Sequence, residues 1–153
     1  MEQNEDWHTD AKLFRSLPGG DAIIDWFGYV PSFHDAELLE LKIAPEAVVI
    51  RLHVFRMTNE TDPDGYFLRD RHASVTLRLE GVTALRLTGS SASILLELRI
   101  RQVEGIPGAS NAWRTCYGPE QGDYEVELYA TYGLEGSVFA KRIEMKFEPL
   151  LQA

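Results

Sequence analysis

The stretch 39–55, LELKIAPEAVVIRLHVF, decides the fold. Leu39, Leu41 and Ile43 alternate with Glu40 and Lys42. Beyond Ala44-Pro45-Glu46-Ala47, Val48, Ile50, Leu52 and Val54 alternate with Val49, Arg51, His53 and Phe55. A period of two puts apolar side chains on one face of a strand and polar ones on the other. Pro45 suits the second position of a tight turn, so the two strands form an antiparallel hairpin. Matching their apolar faces pairs Ile43 with Val48, Leu41 with Ile50 and Leu39 with Leu52. The same register sets Glu40 opposite Arg51 and Asp35 opposite Arg56. A slip of one residue would lose both the apolar match and the charge match.

The same alternation recurs outward from this hairpin. It spans 73–80, 85–87, 94–101, 124–132 and 142–147, the last two strands joined around Gly133-Leu134-Glu135-Gly136. Opposite charges pair in either of two registers there. One wet face per strand means antiparallel sheet, and no crossover helix separates the strands. Before Pro31 the pattern is helical. Thr9-Asp10 caps a helix over 11–17 that Pro18-Gly19-Gly20 stops, and Asp21 caps a second over 22–27 that Gly28 stops. The expected fold is therefore mainly β (α+β): antiparallel sheet of about seven or eight strands with a short N-terminal helical cap. It reads as a single domain over 1–153, with the cap in 1–30 and the β region in 33–149. Alternation does not distinguish a sandwich from one curved sheet. The stretches 57–72 and 103–123, rich in turn-forming residues, read as long surface loops.

Composition narrows the function classes. With 153 residues, 44% hydrophobic and 25% charged, the chain can bury a core unaided. No apolar run is long enough to span a membrane, and the acidic N-terminus does not read as an export signal, so a cytoplasmic location is expected. One cysteine excludes a disulfide framework or a cysteine zinc cluster. A net charge of −9 argues against nucleic acid as a partner. The acids gather at Glu2, Glu5, Asp6 and Asp10, at Glu60, Asp62 and Asp64, and at Glu120, Asp123, Glu125 and Glu127. Solvated loops or strand starts explain each group.

Few residues suggest chemistry. His34-Asp35-Ala36-Glu37 is the densest polar cluster. On a strand His34 and Asp35 would face opposite ways and could not share a metal ion, so hydrogen bonding at the handover from helix to sheet is expected. His34 and His53 would share a face too far apart for common ligation, and His72 reads as an exposed loop end. Cys116 lacks a recognisable base and reads as an inert thiol. No phosphate-binding or hydrolase signature occurs, so no cofactor, metal or catalytic residue is assigned. Trp26, Phe27, Tyr29 and Phe33 crowd the junction before the first strand, either sealing the core or offering Trp26 and Tyr29 to a partner.

The segment FGYVPSFHDAELLELKI, 27–43, resembles the Immunity protein 50 family of bacterial polymorphic-toxin systems. RLHVFRMT, DPDGYFL, ASVTLRLEGV and YGLEGSVFAKRIEMKFEP follow in the same order, so the resemblance covers most of the chain from about Leu17. Its most specific part is the Pro-Ser-Phe-His-Asp-Ala-Glu core, with Pro31, Phe33, His34, Asp35 and Glu37; with Arg56, these are expected to be structural. One position departs from the family pattern, which has tryptophan before the proline where this chain has Val30. The resemblance implies a cytoplasmic, non-enzymatic protein that neutralises a cognate toxin domain by binding it. Glu60, Asp62, Asp64 and Tyr66, with Trp26 and Tyr29, are the candidate contacts, the acids facing a basic toxin. Two other readings remain. One is a small-ligand binder or enzyme using His34, Asp35 and Glu37 with residues near 62–66. The other is a structural subunit whose strand edges pair in an oligomer such as a homodimer.

Overall fold

The computed structural model describes residues 9–104 and 119–151, with the side chains of 131 and 132 set aside. Glu2, Glu5, Asp6, Cys116 and most of the stretch 103–123 thus lie outside the described residues. Among those described are two short helices, α1 (Ala11–Ser16) and α2 (Gly20–Phe27). Six strands follow: β1 (Glu37–Ile43), β2 (Ala47–Thr61), β3 (Phe67–Thr88), β4 (Ile94–Gln102), β5 (Tyr124–Tyr132) and β6 (Glu135–Pro149). All pair antiparallel, in the order β1-β2-β3-β6-β5-β4, and the sheet closes into a barrel. Mainly β architecture under a helical cap is as the alternation predicts, and barrel closure resolves the question of sandwich or curved sheet.

The count among the described residues is six, not seven or eight. The alternating stretches 73–80 and 85–87 read as two strands, but β3 runs through both and through Gly81 between them. Its φ of +64° and a register shift between Val82 and Ala84 bend one 22-residue strand instead of ending it. The expected loop over 57–72 is likewise mostly strand. β2 continues to Thr61, β3 begins at Phe67, and only Asp62-Pro63-Asp64-Gly65-Tyr66 turns.

The first hairpin turns at Pro45-Glu46, where Ala44 and Ala47 exchange backbone hydrogen bonds of 3.0 and 3.2 Å. Ile43–Val48, Leu41–Ile50 and Glu40–Arg51 pair as expected. Leu39–Leu52 does not. A bulge between Leu38 and Glu40 gives Leu52 to Leu38 and leaves Leu39 exposed. Asp35 does not oppose Arg56 either. Left-handed backbone at Phe33 (φ 64°) and Asp35 (φ 62°) turns the chain off β2 before it reaches Arg56. In the last hairpin β5 and β6 pair only from Leu128–Gly136 inward, while Tyr129, Ala130 and Tyr132 of β5 pair with β4 and Glu135 of β6 pairs with β3.

The core fills the barrel and continues under the helices. Val48, Ile50, Leu52 and Val54 of β2 meet Ala73, Val75, Leu77 and Leu79 of β3, Ile143 and Met145 of β6, and Phe14, Ile23 and Phe27 of the cap. In a barrel this narrow the interior is side chain, not channel. In β4, register shifts between Ile94 and Glu97 bury Leu95 and expose Ile94, reversing the face expected there. The Asp10 carboxylate caps α1 by accepting the Leu13 N–H at 2.9 Å. For α2 the cap is Gly19 in left-handed conformation, not Asp21, whose carboxylate instead accepts from Arg15.

Candidate functional site

The motif segment closes the barrel. The Asp35 N–H donates to the Leu95 carbonyl (2.9 Å), Leu95 N–H to Ala36 (2.8 Å), Leu98 N–H to Ser32 (3.1 Å) and Leu38 N–H to Ser93 (3.0 Å). Residues 32–38 thus join β1 to β4 through their backbone, which requires the chain to leave β2 at this point. His34 and Asp35 form a turn, not a strand, so they do not face apart: Nδ1 of His34 lies 3.3 Å from Oδ2 of Asp35. Phe33 is buried beneath them. The hydrogen bonds from this segment to β4 run through its backbone, and the His34–Asp35 contact lies within the turn itself.

Arg56 finds its carboxylate elsewhere. Its Nε and Nη2 donate to the two oxygens of Asp70 at 2.8 and 2.7 Å, a two-pronged pair across β2 and β3. This Arg56 contact holds the Asp70 carboxyl below the usual carboxylate range. His53 and His72 lie beside it, Nε2 to Nδ1 at 2.9 Å, with both rings against Phe55. His72 is therefore a partly buried strand residue, not an exposed loop end. Burial, then the neighbouring His53, lowers its pKa below the ordinary imidazole value. The Arg69 guanidinium covers the Phe55 ring at 4.3 Å.

The junction aromatics divide. Phe27 and Phe33 are core. Trp26 stacks near Phe147 (5.8 Å), donates its indole N–H to the Arg71 carbonyl (3.1 Å) and lies under the Arg71 guanidinium. Tyr29 remains half exposed, and burial of its other half raises its pKa. It stands at the rim of a cleft of about 230 Å³ with Pro31, Ser32, Phe33 and His34 on one wall and Phe55 and Met57 on the other.

Beyond this cleft β2 and β3 continue as a two-stranded arm. Among the described residues, β2 pairs with β1 only as far as His53, and β3 pairs with β6 only from Ala73. Past those points each strand has only the other. Met57, Tyr66, Phe67 and Leu68 stand exposed on the arm, Tyr66 at 73%. Its tip carries Glu60, Asp62 and Asp64. The Asp62 carboxylate accepts the N–H groups of Asp64 (2.9 Å) and Tyr66 (3.0 Å), so it builds the turn. No ion pair involves these three acids among the described residues. In the third acidic group Glu120 is exposed as expected, but Asp123 and Glu125 are not. Asp123 is buried and accepts from Lys141 (2.6 Å), Thr83 (2.8 Å) and the Glu120 N–H (2.8 Å), while buried Glu125 accepts from Arg101 and Ser137.

The structure brings Tyr29, Pro31, Phe33 and His34 to one cleft with Phe55 and Met57. It does not bring Asp35, Glu37 and Asp62 to it. Asp62 and Tyr66 line a separate hollow along the arm. Among the described residues no three His, Cys, Asp or Glu side chains could hold a metal ion together. The alternation pointed to neither the His53–His72 pair nor the Arg56–Asp70 pair, because Arg69-Asp70-Arg71-His72 lacks apolar alternation. The arm did have a signal: Asp62-Pro63-Asp64-Gly65 between Met57 and Phe67-Leu68 is turn chemistry between apolar flanks. Compared with protein families, curated proteins and solved structures, the chain matches none. Among the described residues no helix is long and apolar enough to cross a membrane.

Proposed function

We propose that this chain is a cytoplasmic immunity protein that neutralises a cognate bacterial toxin domain by binding it, without catalysis. The observation that carries the reading is the β2–β3 arm. A strand pair that leaves the barrel with Met57, Tyr66, Phe67 and Leu68 exposed is costly for an isolated chain, since bare edges and apolar patches invite association. Such a feature fits a binding surface better than a scaffold. The acids at its tip suit a basic partner, in line with the net charge of −9. The resemblance of the segment 27–43 to the Immunity protein 50 family supplies the biological class.

The test is capture of the toxin. Purified chain is used as bait in a lysate of a strain verified to express its toxins, with mass spectrometry as readout. A toxin C-terminal domain recovered in stoichiometric amount, and lost when the arm is removed, supports the reading. Recovery of background proteins alone counts against it.

A further inference from the structure

Where β1 would continue along β2, it departs. The left-handed residues Phe33 and Asp35 swing the chain across to β4, and the seam that closes the barrel depends on that departure. Among the described residues no strand pairs with the outer edge of β2 beyond His53, and the gap between that edge and residues 29–34 is the 230 Å³ cleft. We propose that an extended basic segment of the partner adds to this edge of β2 as a strand, taking the place that β1 vacates. One apolar side chain of the segment seats between Tyr29, Phe33, Phe55 and Met57, and its cations lie along the arm toward Glu60 and Asp64. The proposal rests on the binding reading above and names the mode of contact and the chemistry of the partner.

Three observations converge on it. A bare edge offers backbone N–H and C=O groups in register, which is what strand addition uses. The cleft matches a single side chain, the kind of anchor that dominates interfaces. The acids choose the occupant. From Met57 to the tip is about five residues, or roughly 17 Å of strand, so a segment anchored in the cleft reaches Glu60 and Asp64 within six residues. A second copy of this chain carries the same net charge of −9 and is repelled as a whole, whereas a basic segment neutralises the acids of the tip.

The test uses the full chain labelled with ¹⁵N and the synthetic probe acetyl-Phe-Val-Lys-Val-Lys-Lys-amide. Expected are amide shifts confined to residues 29–34 and 54–60, with binding weakened about tenfold by raising salt to about 0.5 M. A probe N-methylated at alternate backbone nitrogens loses the main-chain bonds and should bind at least tenfold more weakly. The same peptide with glutamate for lysine should not bind. Glu60→Lys with Asp64→Lys, both fully outside the core, should weaken the probe about three- to tenfold. Shifts centred elsewhere, equal binding of the N-methylated or glutamate probe, or no shift at millimolar probe would each overturn the proposal. So would toxin capture that survives Met57→Glu and the Glu60/Asp64 reversals, and that outcome would leave the immunity reading standing. Probe binding as expected without any toxin capture would keep the strand-addition site and remove that reading.

Discussion

His53 and His72 can share a hydrogen bond at 2.9 Å only while at least one ring is neutral, because one must donate and the other accept. Burial of His72 and its contact with His53 lower its pKa in the fold, so the unfolded chain takes up that proton first. The stabilisation from the neutral pair is thus fully present above the unfolded imidazole value of about 6.5 and is lost as pH falls below it. The Arg69 backbone and the Asp70 carboxylate favour a charge on His72, and the Arg69 guanidinium, which covers Phe55, opposes it. The protection factors of the amides at 53–57, with the intrinsic exchange rate divided out, should therefore fall between about pH 6.5 and 5, and His72→Phe should flatten that dependence. Protection factors independent of pH in the parent chain would contradict it. Asp123 is the opposite case. Burial raises its pKa, but the Glu120 N–H, Lys141 and Thr83 together hold it below the usual carboxylate range. Its contribution is present above about pH 4 and is lost as pH falls through its folded value. Asp123→Ala should cost about 1–3 kcal/mol by urea unfolding near neutral pH, since it strands the Glu120 N–H and the Thr83 hydroxyl. Neither site was legible in the sequence. His72 lies in a run without alternation, and Asp123 looked like one more solvated acid among its neighbours.

At the scale of elements, legibility followed periodicity. The core faces of β2 and β3 and the inner half of the first hairpin are as alternation predicts, because a one-residue slip there would turn Ile50 and Leu52 out to water. Prediction failed where one residue was inserted or a glycine bent the strand: at the bulge by Leu39, at the shift after Ile94, and at Gly81. A bulge changes the face without changing the composition, so nothing local announces it. The arm is an element that can be removed. Replacing residues 58–68 with Asn-Gly joins Met57 to Arg69 through a two-residue turn of the type hairpins favour. The Arg56–Asp70 pair and the whole core remain, so thermal unfolding should shift by no more than a few degrees while toxin capture is lost. A collapse of stability would mean that the arm is structural. The turn between helices is far less tolerant. A Cβ at Gly19 would lie 1.8 Å from the Met145 carbonyl oxygen, at a φ of +86°. Gly19→Ala should cost at least about 2 kcal/mol in equilibrium unfolding.

The molecule as a whole is a barrel closed by its least strand-like segment. The seam relies on backbone bonds from 32–38 to β4, supported by Ser93, whose buried hydroxyl accepts the Leu134 N–H at 3.0 Å. Ser93→Ala leaves that N–H buried and unpartnered and should cost about 1–3 kcal/mol, read by urea unfolding. Charge also acts at this scale. Reversing Glu60 and Asp64 takes the net charge from −9 to −5 and should slow association with the proposed toxin partner while flattening its salt dependence. An unchanged association rate in stopped-flow mixing would rule out electrostatic steering by the tip. Asp62 is a poor choice for that test, because its carboxylate shapes the turn.

The sequence alone determined the class of the fold, the helical cap, the tight turn at Pro45 and the inner faces of β2 and β3. Each depends on which neighbours along one chain share a face, and period and turn chemistry specify that locally. Tertiary structure alone decided that the sheet closes, that Arg56 pairs with Asp70 rather than Asp35, that His53 meets His72, and that an arm and a cleft are left where β1 turns away. Those outcomes depend on backbone groups far apart in sequence competing for the same partners. β4 wins residues 32–36 from β2, and no pattern within either segment records the contest.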